Sequence, residues 1–212
     1  MRLSALIEHT GKWTGFTATT VGSFARFLRE ARQISGGVKG GGAAAMSAGD
    51  MISLLVAVLG CGTARSCSLH LPRLRSLPLT RSETSIDATP LTYLAQPDLQ
   101  RALLALFDDI DAGRFAEWRR GMERKGMTGT AFELVLTFDV DGDHVEIELT
   151  AKGSAAIGDK PGEMHFAITQ HFGKPRQTEL PGYSLPGYSR RIHQLSLERL
   201  AGWGECLKEA IA

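Results

Sequence analysis

TTVGSFARFLREARQISGGVKGGGAAA, Thr19 to Ala45, is the stretch on which the reading of this chain turns. Val21, Phe24, Ala25, Leu28, Ala31 and Ile34 recur at steps of three and four, which sets them on one stripe of a 3.6-residue helix. That stripe faces a core. Arg26, Arg29 and Arg32 fall to the solvent side, and Thr19 or Thr20 offers the hydroxyl oxygen that accepts from unpaired first-turn amides. Gly36 and Gly37 supply the left-handed conformation on which helices end. A glycine-rich segment with a single cation, Lys39, follows. Aliphatics on one side with Thr, Ser and Arg on the other suit a helix that enters a major groove, although an ordinary surface helix has the same description.

Outward from this stretch, charge is unevenly spread. The formal net charge is +1, yet residues 1 to 81 hold ten Lys or Arg against three Asp or Glu, a balance of +7. The remainder holds 14 basic and 20 acidic residues, a balance of −6. Such a split points to a polyanion-binding half and a solvated acidic half. Cys61, Cys67 and Cys206 form no CxxC pair, which argues against a disulfide framework or zinc finger and favours a reducing, cytoplasmic setting. Glu8 interrupts the N-terminus where a signal peptide needs an apolar run. The apolar stretch Met51 to Cys61 is too short to span a bilayer, so no membrane association is expected.

In chain order, a short helix around Leu3, Leu6 and Ile7 is expected to end near Gly11, with Trp13 and Phe16 pinning a turn from Gly11 to Ala18. The helix over 19–34 comes next. Ser47 and Asp50 have capping-box spacing at the head of an almost wholly apolar helix, the most buried element expected in this half. Residues 63–96, with Pro72, Pro78 and Pro90 among Arg65, Arg73, Arg75 and Arg81, read as a basic linker or arm. From Asp98 to Lys125 the pattern is helical, with a break at Gly113.

The period then changes to two. Phe132, Leu134, Leu136, Phe138 and Val140 alternate with mostly polar residues, as do Val145, Ile147 and Leu149, and Asp141-Gly142 between them is a strong hairpin signal. Further strands are expected at 164–172 and 190–195, with a closing helix from Leu197 to Ile211. The fold class is therefore α+β: a helical domain over 1–62, the linker 63–96, and over 97–212 an antiparallel sheet with helices on one face, serving oligomerisation or sensing.

Candidate chemistry is sparse. In DVDGDHVEIELT, Asp139 to Thr150, His144 occupies the glycine position of a calcium loop and Thr150 the bidentate glutamate position, so the match fails. His144, His165, His171 and His193 lie on or beside strands, but no HxH or ExxH pair marks a ligand set, and a solvated sheet face is the expected reading. The glycine pattern from Gly40 to Ala45 follows a helix, not a strand, and so lacks dinucleotide-binding context. PGYS occurs twice, at 181–184 and 186–189, with no base to activate a serine. No enzyme, cofactor or metal is expected.

The short N-terminal helix, the turn, TTVGSFARFLREARQI and SGGVKGGG together resemble the helix-turn-helix and wing of bacterial and phage winged-helix regulators. The likeness covers about the first 60 residues. Two features depart from that family: the Gly11–Ala18 turn is long, and a buried helix follows the wing. The resemblance implies a sequence-specific transcriptional regulator that binds double-stranded DNA as a homodimer. Thr19, Thr20, Ser23 and Arg26 would then face bases or phosphates, and Arg29 and Lys39 the backbone. The alternative is a protein-binding adaptor or inhibitor acting through the acidic C-terminal domain.

Overall fold

The computed structural model describes residues 2–36, 45–86, 88–139, 143–157, 160–174 and 189–196, of which 156, 157, 160, 161 and 189–196 are described by backbone alone. The described chain holds six α-helices: α1 (Leu3–Thr14), α2 (Ala18–Glu30), α3 (Ala48–Gly60), α4 (Cys67–Arg75), α5 (Leu99–Asp111) and α6 (Arg114–Arg124). A 3₁₀ turn spans Thr92–Ala95. Five strands, β1 (Leu79–Thr84), β2 (Met127–Asp139), β3 (His144–Ile157), β4 (Lys160–Gly173) and β5 (Ser189–Ser196), form one antiparallel sheet in the order β1-β4-β3-β2-β5.

The α+β expectation holds, and the alternation read from sequence sets the faces of the sheet. Leu134, Leu136, Phe138, Val145, Ile147, Leu149, Ile168 and Phe172 are buried on one side. Helices cover that side: Trp118 of α6 stacks on Phe132 at 4.9 Å, and Phe115 meets the same ring edge-on at 6.0 Å. The hairpin register pairs Phe138 with Val145, while Val140 and the Asp141-Gly142 turn lie outside the described residues. So do the wing residue Lys39, both glycine-tyrosine-serine motifs up to residue 188, Cys206 and the expected helix from Leu197. One cluster of buried side chains runs from Leu6 to Phe172, so the helical half and the sheet share a core across the expected boundary at residue 62.

α3 is the axis of the helical layer. Every residue from Asp50 to Gly60 is buried, as its apolar composition requires. Gly60 is where it meets the sheet: a Cβ there would lie 2.7 Å from Leu74 and 3.2 Å from Phe138. Cys61 and Cys67 are buried beside it, and burial pushes the Cys67 thiol up to about 11. No helix among the described residues is long and apolar enough to cross a membrane.

The stretch 63–96, expected as an extended arm, instead contributes α4 and the edge strand β1. Pro72 sits inside α4 because the carbonyl it cannot bond, that of Ser68, is taken by the Gln33 side chain at 2.6 Å. The cations of this stretch are turned to structural use. Arg73 pairs with Asp143, Arg75 donates to the Ser53 hydroxyl at 2.8 Å, and Arg81 pairs with Glu83 at 2.7 Å. Two of the front half's ten cations, Arg73 and Arg81, are thus paired with carboxylates from the acidic remainder.

Candidate nucleic-acid interface

Two corrections to the sequence reading define the N-terminal helix pair. α1 does not stop at Gly11 but continues to Thr14, and Gly15, with φ of 75°, ends it by donating its N–H to the Gly11 carbonyl. The connection to α2 is thus Gly15 to Thr17, a tight turn in place of the long one expected. Gly11 is not a breaker. A Cβ there would lie 2.8 Å from the Phe16 carbonyl oxygen, so glycine is what lets the turn cross α1 at backbone distance. Trp13 and Phe16, both half-buried, pack against the core as expected.

The cap of α2 is Thr17, earlier than the Thr19 or Thr20 expected; its hydroxyl accepts the Thr20 N–H at 3.2 Å. The helix closes at Glu30 instead of Ile34. Arg32 takes φ of 56°, the Arg32 N–H reaches the Arg29 carbonyl at 3.0 Å, and the Gln33 N–H reaches Leu28 at 2.8 Å. This is the Schellman arrangement, built on Arg32 where glycine is usual, and it forms before Gly36 is reached. Ile34 is buried all the same, beyond the helix end.

Val21, Phe24, Ala25 and Leu28 are the buried stripe of α2, and its opposite side carries the sequence-predicted contact residues. Thr19 is exposed, and Thr20 and Ser23 are half-exposed; Ser23 donates its hydroxyl to the Thr19 carbonyl at 3.1 Å. Arg26 and Arg29 are exposed. Arg26 lies over the Phe27 ring at 5.0 Å and faces Glu30 at 3.7 Å, a contact open to solvent on both sides and weak for that reason. The structure thus sets Thr19, Thr20, Ser23, Arg26 and Arg29 on one helix, and five of the six predicted site residues are described. Chemically, this surface offers hydroxyls at a helix N-terminus and guanidinium groups along its flank, both suited to phosphate oxygens.

Sequence reasoning missed how the glycine-rich segment is anchored. Asp50 Oδ1 accepts the Ser35 N–H at 2.8 Å, and Oδ2 accepts the Ser47 N–H at 2.7 Å and the Ser47 hydroxyl at 2.9 Å. The Ser47 hydroxyl in turn accepts the Asp50 N–H at 3.1 Å, which completes the expected capping box. One carboxylate therefore holds both ends of the segment. Burial pushes the Asp50 carboxyl up, but the hydrogen bonds from Ser47 and Ser35 outweigh it and leave the group below its ordinary range.

A depressed carboxylate contributes stability that is fully present above the unfolded-state pKa, about 3.9, and is lost as pH falls through the lower folded value. Urea midpoints of the wild type and Asp50→Asn should therefore differ by a constant amount above about pH 5, on the order of 1 kcal/mol. The difference should narrow on acidification below about pH 4. A gap independent of pH would show that the ionised form is not the one holding the segment.

No family model, curated protein or solved structure matches this chain.

Proposed function

We propose that the protein binds double-stranded DNA through α1, the Gly15–Thr17 turn and α2, with α2 as the groove-entering helix, and that it acts as a transcriptional regulator. The observation that carries this reading is the tight Gly15–Thr17 connection, folded back against α1 at Gly11, with Thr19, Ser23, Arg26 and Arg29 left on the outer side of α2. A three- to four-residue turn with glycine between two helices is the connection such a motif uses. Thr19, Thr20 and Ser23 lie in the first turns of α2, the part that reaches base edges, and Arg26 follows. Arg29 and Lys39 supply phosphate contacts, which add affinity by counterion release. So few cations bind weakly alone, and a homodimer spanning two half-sites is the expected working form.

Fluorescence anisotropy against random and genomic duplexes at two salt concentrations tests the proposal. Wild-type affinity should fall steeply with salt. The double variant Arg26→Ala/Arg29→Ala should bind more weakly, with a log–log salt slope shallower by about 1 for each phosphate contact removed. Absence of salt-sensitive duplex binding by the wild type would refute it. The adaptor reading rests on the open side of the sheet, where Glu133, Glu146 and Glu148 stand half-exposed. A stoichiometric protein partner co-purifying without nucleic-acid absorbance would favour it.

A further inference from the structure

We propose that the open face of the sheet carries a zinc site formed by His144, Glu146 and His171. Strand geometry assembles it. His144 and Glu146 stand two apart on β3 and so project to the same side, away from the core residues Val145 and Ile147. His171 is the cross-strand partner of Glu146 on β4. A ligand atom from each of the three lies within 4.8 Å of the others, and all three side chains are half-buried, sheltered yet reachable from solvent. The motif is His-x-Glu on one strand completed by a histidine from the next, a pattern that a search for HxH or ExxH along the chain passes over.

The distances suit a four-coordinate ion. His144 Nε2 is 3.3 Å from His171 Nδ1, and His171 Nδ1 is 3.6 Å from a Glu146 carboxylate oxygen. Ligand bonds of 2.0–2.1 Å in a tetrahedron place neighbouring donor atoms about 3.3–3.4 Å apart. Two imidazoles and one carboxylate are a borderline donor set that zinc accepts, and three protein ligands leave a fourth position for water.

A second, independent observation lies behind the rings. His144 turns its other nitrogen, Nδ1, toward Asp139 at 3.8 Å, and His171 turns Nε2 toward Glu83 at 3.6 Å. Each ring thus aims one nitrogen at the shared point and has a carboxylate within ion-pair range of the other, longer than a hydrogen bond but on the side where metal-binding histidines keep a supporting carboxylate. His165 does not take part. It pairs with Glu163 at 3.5 Å and stands six residues along β4 from His171, about 20 Å away at the rise of a strand.

Isothermal titration of the metal-free full chain with zinc tests the proposal, and its readout needs no nucleic acid. The wild type should take up one ion per chain and gain thermal stability on doing so. Cobalt in place of zinc should give the visible absorption of a four-coordinate centre. His144→Ala/His171→Ala should bind more than about 100-fold more weakly, and Asp139→Asn about tenfold more weakly. Circular dichroism and urea midpoints of the metal-free variants confirm that each is folded. Glu146→Gln, which keeps the side-chain shape, serves if the double variant is not. Failure of the wild type to bind zinc stoichiometrically, or undiminished binding by the folded variants, would overturn the site.

Discussion

Gly173→Ala should cost about 3–5 kcal/mol, the largest stability loss expected of any single methyl added to the described chain. Two effects add. Gly173 has φ of 76°, where an L side chain is strained, and a Cβ there would run into the carbonyl of Asp143 and come within 2.9 Å of Leu77. The Asp143 carbonyl is the harder obstacle, because the backbone is tied at this point, whereas the Leu77 methyl ends a side chain. The Gly173 N–H donates to Pro78 at 2.8 Å, Lys174 N–H to Asp143 at 3.0 Å, and the Thr80 hydroxyl to the Gly173 carbonyl at 2.8 Å. The entry to β1, the entry to β3 and the exit of β4 meet in one knot. Gly113→Ala is the control, since Gly113 has φ of 71° but nothing within 4 Å of the added carbon. It should lose only about 1 kcal/mol, and equal urea midpoints for the two variants would show that the collision relaxes. Because His144 pairs with Gly173 across the strands, Gly173→Ala should also weaken zinc uptake.

Asp109→Ala should cost about 3 kcal/mol by urea denaturation. Its carboxylate is wholly buried and accepts three hydrogen bonds: from the Thr92 hydroxyl at 2.5 Å, the Tyr93 N–H at 3.0 Å and the Arg114 guanidinium at 2.7 Å. The group joins α5, α6 and the 3₁₀ turn. Its removal strands a buried amide and leaves Arg114, about a third exposed, without its counter-charge. Arg114→Met should be damaging for the opposite reason, leaving a buried anion. The two together should cost less than the sum of the singles, and strict additivity would sink the idea of a coupled network. Burial, and next the Asp109 charge, hold the Tyr93 phenol neutral well above its ordinary range.

What was legible in the sequence had one chain segment's pattern as its cause. Alternation over Phe132 to Phe138 and Val145 to Leu149 predicts the central hairpin, because one side of each strand is buried and the other is wet. The capping box at Ser47 and the break at Gly113 are local chemistry and are seen for the same reason. What escaped depends on partners distant in the chain. β1 reads LTRSET, exposed at every position after Leu79, and becomes a strand only because β4 offers an edge. Gly11 looks like a stop until the turn at Phe16 is seen folding back on it, and Pro72 looks like one until Gln33 caps the orphaned carbonyl. Likewise Glu146 and His171 lie 25 positions apart and become neighbours through register alone. The buried stripe of α2 was predicted in its residues, though the helix boundaries were not.

Asp50 acts as a drawstring: its two oxygens hold Ser35 and Ser47, the two ends of the glycine-rich stretch, at one point. Closing a flexible loop costs only about 0.6 kcal/mol more for each doubling of its length. Residues added between Ser35 and Ser47 should therefore cost little stability so long as Asp50 keeps both ends, which urea midpoints of insertion variants would check.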